Sequence, residues 1–174
     1  IVGLGHTGRA VARLAKSFGM LVVGTRARPR PMENVDDVRS ADALHEVCGQ
    51  ADMIVVCTPL LDSTRNLFDG ATFAAIKPGA VLVDVSRGGV VQSEALIQAL
   101  RTGRLAGAAL DVFDTEPLPE DSPYWDLPNT IISPHCSSVF ADWDAASMAF
   151  FCENLTRWKV GKSLLNIVDP ARGY

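Results

Sequence analysis

Apolar residues come in short runs separated by amphipathic stretches, and this alternation continues along most of the chain. Met20 to Gly24, Asp52 to Cys57, Ala80 to Asp84 and Leu105 to Val112 are nearly continuous in apolar residues, as strands covered on both faces are. Ile1 to Leu4 reads as part of a first strand and Thr130 to Ser133 as a last, short one. Between them, Arg9 to Phe18, Ala41 to Cys48, Asp69 to Ile76 and Ser93 to Thr102 read as helices, and Ala141 to Val160 as a longer one. Ser40 and Ser93 are the expected N-caps, and Gly103 the expected stop after Thr102. Thr25 to Arg39 is polar and Pro-bearing and is expected to be a loop, as is the stretch holding Pro117, Pro119, Pro123 and Pro128.

Strands alternating with helices predict an α/β fold, a doubly wound parallel sheet with right-handed crossovers. In such sheets ligands sit beyond the carboxyl ends of the strands. The residues expected to carry chemistry are therefore Thr25-Arg26, Thr58-Pro59, Ser86-Arg87, Asp111 to Glu116 and Pro134-His135.

Composition narrows the partners. At 174 residues, 48% hydrophobic and 21% charged, the chain has the size and balance of one globular domain. A net charge of −4 argues against a nucleic-acid surface, and Arg26, Arg28 and Arg30 form the one basic block that stands out. No apolar run reaches the length of a membrane span, and no signal peptide is evident. Cys48, Cys57, Cys136 and Cys152 are scattered, which fits a reducing, cytoplasmic setting and suggests no metal site. The sequence begins inside its first strand, so a preceding part of the protein is expected to be missing from it.

The most informative stretch is Ile1-Val-Gly-Leu-Gly-His-Thr-Gly8, in which Gly3, Gly5 and Gly8 fill a G-x-G-x-x-G pattern between an apolar run and an amphipathic one. Gly3 permits a tight turn, Gly5 lets the backbone approach a pyrophosphate, and Gly8 lets helix and strand pack closely. An NAD site usually places an acidic residue at the end of the second strand, about 20 residues on, to hold the ribose 2′-OH. Here that region reads Gly24-Thr-Arg-Ala-Arg-Pro-Arg30, with no carboxylate before Glu33. Thr25, Arg26 and Arg28 suit a 2′-phosphate instead, so NADP is expected in preference to NAD. A solvated basic loop is the plainer alternative.

Asp84-Val-Ser-Arg-Gly-Gly-Val-Val91, Leu110-Asp-Val-Phe-Asp-Thr-Glu-Pro117 and Ser133-Pro-His135 resemble the three signature segments of the D-isomer-specific 2-hydroxyacid dehydrogenases. The glycine pattern, Thr58-Pro-Leu-Leu-Asp-Ser-Thr-Arg65 and the ending Asn166-Ile-Val-Asp-Pro-Ala-Arg-Gly-Tyr174 fit as well, so the resemblance spans essentially the whole chain. It implies a Rossmann domain at 1–140 and a helix and tail at 141–174 that run toward an N-terminal substrate domain absent from this sequence. It further implies hydride transfer from a nicotinamide cofactor to a small 2-oxo acid, of the glyoxylate or hydroxypyruvate type, giving a D-2-hydroxy acid.

The same resemblance assigns roles. Arg87 would hold the substrate carboxylate, a task suited to a guanidinium fork. His135 would exchange the proton at the carbonyl oxygen, and Glu116 would hold the far ring nitrogen. The cofactor would contact Gly3, Gly5, His6, Thr7, Gly8, Thr25, Arg26, Arg28, Thr58, Pro59, Val85, Ser86, Asp111 and Ser137, with Asp111 at the nicotinamide carboxamide. Taken singly, Arg87 before two glycines reads more readily as a solvated turn, His135 after Pro134 as the end of a strand, and Glu116 as a surface residue. His45 is expected on a helix surface and Cys136 as a pocket-lining thiol. Family likeness also suggests a homodimer. A dinucleotide-sensing regulator on the same fold is the alternative. Formate- or phosphite-type chemistry is disfavoured, because the formate enzymes carry Gln where Glu116 stands.

Overall fold

The computed structural model describes residues 1–127, 129–170 and 173. Pro128 of the Pro-rich loop, and Ala171, Arg172 and Tyr174 of the C-terminal motif, lie outside the described residues. Two compact units are present, Ile1–His135 and Cys136–Tyr174.

In the first unit the order is α1 (His6–Ser17), β1 (Val23–Thr25), β2 (Asp37–Arg39), α2 (Leu44–Gln50), β3 (Met53–Val56), α3 (Gly70–Ala75), β4 (Ala80–Asp84), α4 (Ser93–Arg101), β5 (Leu105–Leu110) and β6 (Thr130–Ile132). Strands β3, β4, β5 and β6 are neighbours in that order, and β1 pairs with β2, every pair parallel. Val2 joins the two groups: it bridges Thr25 on one side and Val56 on the other. Its N–H donates to the Val55 carbonyl and its carbonyl accepts from Cys57, both at 2.8 Å. The order is thus β2, β1, Val2, β3 to β6, and the chain reverses direction across the sheet between Val2 and β3. The doubly wound parallel sheet expected from sequence is present.

The apolar runs form the core because neither face of a parallel sheet meets water. Ile54, Val56, Leu82, Leu105 and Leu110 of the strands pack with Phe68, Phe73, Leu96 and Leu100 of the crossovers. Along β4, Ala80, Leu82 and Asp84 are the buried positions, alternating with Val81 and Val83. A carboxylate thus occupies the third place on an otherwise apolar face. Gly103, in left-handed conformation (φ 73°), ends α4 as expected.

Several expectations need correction. The loop 25–39 contains β2, an edge strand whose polar sequence Asp37-Val-Arg39 carries no buried residue and so no apolar signal. The first strand is reduced to the Val2 bridges, and the second begins at Val23 rather than Met20. Ser40 precedes a 3₁₀ turn (Ala41–Ala43) and makes no side-chain cap bond. Ser93 is not a cap either: Gln92 occupies that position, and the Ser93 hydroxyl donates to Asp114 at 2.5 Å across the loop beyond β5. Asp69 caps α3 instead, accepting the Thr72 N–H at 2.8 Å.

The second unit is built on α5 (Trp143–Lys159), none of whose residues is buried. Asn154 holds the segment that follows, exchanging hydrogen bonds with both the N–H and the carbonyl of Leu165, and Arg157 donates to the Ser163 carbonyl at 2.8 Å.

Candidate active site

The glycine turn is shaped by contacts, not by composition alone. Gly3 has φ +95°, and a Cβ there would lie 2.9 Å from the Cys57 and Thr58 backbone. A Cβ on Gly8 would overlap the Gly3 carbonyl, whereas Gly5 faces open space. Helix α1 begins at Gly5 without a side-chain cap and with no acidic residue in its first turn. An uncapped helix start beside an open glycine suits a phosphate-bearing ligand. His6 and Thr7 are exposed in that first turn, and Thr58, whose backbone nitrogen closes on Gly3, and Pro59 follow the end of β3.

At the end of β1, Thr25 is buried, Arg26 is half-buried and Arg28 is exposed. Arg26 donates to the Met32 sulfur at 3.2 Å. A cleft of about 520 Å³ opens beside α1, lined by His6, Arg9, Arg13, Arg30, Glu33 and Asn34 among others. Arg9 and Arg13, which face it from successive turns of α1, were not singled out by sequence, although the spacing of four on one helix face is the signal that could have found them.

The opposite end of the sheet edge is more tightly built. Past β4, Val85 is half-buried and Ser86 buried; the Ser86 hydroxyl is turned onto Asp84 at 2.6 Å. Arg87 is exposed, with one guanidinium nitrogen donating to the Ser86 carbonyl at 2.6 Å. Past β5, Asp111 is buried and accepts the Ser133 hydroxyl at 2.5 Å. Glu116 accepts the Phe113 N–H at 3.0 Å through one oxygen and meets His135 Nδ1 at 2.7 Å through the other. Those two bonds hold the Glu116 carboxyl below its ordinary range, the His135 bond having the larger influence. His135 itself sits in left-handed conformation (φ 50°) just beyond β6. With Nδ1 committed, Nε2 is the ring nitrogen left for a substrate.

Phe113 ties this edge together. Its N–H orients Glu116, and its carbonyl packs against Gly88 so closely that a Cβ on Gly88 would overlap it. The turn bearing Arg87 and the carboxylate behind His135 therefore share one support. Sequence reasoning placed Asp84, Phe113 and Ser133 in the segments that build this edge but gave none of the three a role of its own. Asp84 was detectable, since it stands in register with the buried positions Ala80 and Leu82.

Of the remaining expectations, His45 is exposed on α2 and contacts the Thr72 hydroxyl at 3.1 Å. Cys136 and Ser137 are exposed, and both belong to the second unit. Among the described residues no group of His, Cys, Asp or Glu is placed to hold a metal ion, and no helix is long and apolar enough to cross a membrane.

Residues 1–137 match the family model for the D-isomer specific 2-hydroxyacid dehydrogenase, NAD binding domain. Glyoxylate/hydroxypyruvate reductase B of Citrobacter koseri is 37% identical over 172 residues, which are 98% of this chain and 53% of that protein. D-3-phosphoglycerate dehydrogenase of Methanocaldococcus jannaschii is 33% identical over 97% of this chain and 32% of its own length. The chain thus spans about half, or less, of the curated relatives it matches. Among solved structures, a D-isomer specific 2-hydroxyacid dehydrogenase from Xanthobacter autotrophicus in complex with NADPH superposes with a TM-score of 0.92 at 38% identity, over 99% of this chain and 71% of that one. An NADPH-dependent glyoxylate/hydroxypyruvate reductase from Sinorhizobium meliloti in complex with NADP gives 0.92 at 31% identity, over 99% and 55%. Matched along 137 residues and carrying the strand-end edge described above, the chain belongs to the D-isomer-specific 2-hydroxyacid dehydrogenase family, of which it carries the NAD-binding domain.

Proposed function

We propose that this chain forms the cofactor-binding and catalytic part of an NADPH-dependent reductase of small 2-oxo acids, glyoxylate or hydroxypyruvate being the best-suited substrates. The observation that carries the reading is the 2.7 Å contact between Glu116 and His135 Nδ1, at the same sheet edge as the exposed Arg87. Arg87 receives the substrate carboxylate as a bidentate fork and draws electron density from the neighbouring carbonyl. His135 delivers the proton to the carbonyl oxygen from Nε2, and Glu116 holds the ring and stabilises its imidazolium form. Run in reverse, the same nitrogen takes the hydroxyl proton.

A bound nicotinamide dinucleotide supplies the hydride for that reduction. The backbone of Gly3, Gly5 and Gly8, with His6 and Thr7, would cradle its pyrophosphate, and Thr58, Pro59, Val85 and Ser86 would line its path. Asp111 would meet the carboxamide. Thr25, Arg26 and Arg28 would take the 2′-phosphate, and Arg9, Arg13 and Arg30 add positive charge beside α1. Structural neighbours bound to NADPH or NADP support the choice of phosphate. The relatives named as reductases and dehydrogenases leave no observation in favour of a sensor.

Titrating the chain with NADPH and NADH tests the cofactor half. The expected result is preference for NADPH that falls about tenfold in an Arg26→Ala chain, as loss of one charged phosphate contact would give. Equal binding of the two cofactors, unchanged by the substitution, would reject the assignment. Substrate-dependent oxidation of NADPH by glyoxylate, lost in a His135→Ala chain, tests the other half.

A further inference from the structure

The carboxylate of Asp84 has no place in the chemistry above, yet it lies directly beneath it. Its residue is 3% exposed, and one oxygen accepts both the Ser86 N–H at 2.9 Å and the Ser86 hydroxyl at 2.6 Å. The next residue is Arg87, whose guanidinium folds back onto the Ser86 carbonyl at 2.6 Å. Ser86 is thus held on its donor side by Asp84 and on its acceptor side by Arg87. Two further restraints close the turn: the Val90 N–H reaches the Arg87 carbonyl at 3.3 Å, and Gly88 is seated against Phe113.

We infer that Asp84 is the positioning residue for Arg87: its buried carboxylate clamps Ser86 and so aims the exposed guanidinium at the substrate carboxylate. The inference rests on the reading of Arg87 given above and extends it to the strand behind. A long side chain carries much rotamer freedom, and a bidentate contact requires that freedom to be removed in advance. The backbone of residue 86 is the point at which Arg87 is held, so fixing residue 86 fixes both the base and the tip of the arginine.

The placement of Asp84 argues against an incidental role. Burial pushes its carboxyl up to about 6 even though the two Ser86 donors act in the opposite sense, and Asp111 and Asp114 lie close enough to add to the rise. An apolar side chain in line with Ala80 and Leu82 would avoid that penalty. It would leave the Ser86 N–H and hydroxyl without their buried acceptor.

The test compares Asp84→Ala and Asp84→Asn in the NADPH-loaded chain, using oxamate as a non-reactive 2-oxo acid mimic. Two readouts are taken: oxamate affinity by calorimetry, and amide hydrogen exchange across residues 85–91. Asp84→Ala is expected to weaken oxamate at least tenfold and to speed exchange across that segment, while NADPH affinity shifts less than twofold. Asp84→Asn keeps an acceptor oxygen for Ser86 and is expected to restore most of the oxamate affinity and the slow exchange. Unchanged exchange in Asp84→Ala, or equal loss in both variants, would overturn the inference. If Asp84→Ala does not fold, Ser86→Ala removes one of the two donors, and a threefold or greater loss of oxamate affinity is expected; no loss would count against the clamp. An Arg87→Ala chain that binds oxamate like the parent would defeat the role given to Arg87, while the exchange data would still decide whether Asp84 holds the turn.

Discussion

The two ends of the proposed site are built differently. At the end of β4, β5 and β6, every side chain of interest is held by a named partner: Ser86 by Asp84, Asp111 by Ser133, Glu116 by Phe113 and His135 by Glu116. At the end of β1 the arginines have far fewer restraints. Arg26 reaches a methionine sulfur, and Arg28 and Arg30 stand exposed in a loop. The contrast fits the roles proposed for the two ends. Proton transfer depends on placement to a fraction of an ångström, so its groups are fixed before a substrate arrives. Attraction of a phosphate works over several ångströms and tolerates side chains that settle only when it binds. Substitutions should accordingly cost most at the rigid end.

The largest effect is expected at His135. Replacing it with Ala should lower kcat by roughly 10²–10⁴, the range for loss of a positioned general acid–base group, with NADPH affinity little changed. A comparable fall in NADPH affinity would show that the two ends are not separable. Next comes Gly88→Ala, which drives a methyl group into the Phe113 carbonyl and should disturb Arg87 and Glu116 together. Its expected mark is a loss of both oxamate binding and turnover, whereas Gly5→Ala, where a Cβ meets nothing, should leave the melting temperature within a few degrees.

A smaller effect, of opposite sign, concerns stability. Asp84 rises from 3.8 to about 6 on folding, so between those values the folded chain binds the proton more tightly than the unfolded one. Its ionised form therefore costs stability, a cost that accrues as pH rises from about 4 to about 6 and is fully present above that. The groups that face it, Asp111 and Asp114 beyond β5, Cys57 at the end of β3 and Tyr124, are acidic or neutral and offer the carboxylate no counter-charge. Asp84→Asn should stabilise the chain at pH 8 by up to about 3 kcal/mol, the difference between 3.8 and about 6 taken at 1.36 kcal/mol per tenfold in proton affinity, and by less than about 1 kcal/mol at pH 4. Denaturant melts at the two pH values measure it; an equal effect at both would remove the electrostatic explanation.

The same contrast governs how much was legible beforehand. Continuous apolar runs marked β3, β4 and β5, and the ends of β4, β5 and the short β6 located Arg87, Asp111, Glu116 and His135. Local pattern gave no contact between them: Ser93 finds Asp114 across a loop whose course no such pattern dictates, and the Glu116–His135 contact was expected through the family resemblance alone. Strand β2 escaped for a related reason. It pairs only with β1 at the edge of the sheet, so Asp37, Val38 and Arg39 need no apolar alternation to be a strand. At the end of β1 the composition of Gly24 to Arg30 said most of what the structure adds, since Arg26 meets the Met32 sulfur and Arg28 and Arg30 are exposed. Asp84 falls between these cases: its phase with Ala80 and Leu82 announced burial, but the purpose of that burial emerged only when Ser86 was seen to close over it.

The central claim is that the acid–base pair is assembled in this chain before any ligand binds. Carboxyl-carbon NMR titration of Glu116 tests it most directly. In the parent chain the Glu116 midpoint should lie below its ordinary value of 4.5, and His135→Ala should move it back toward that value, because the His135 bond is the main cause of the depression. A midpoint at the ordinary value that His135→Ala leaves unmoved would contradict the claim.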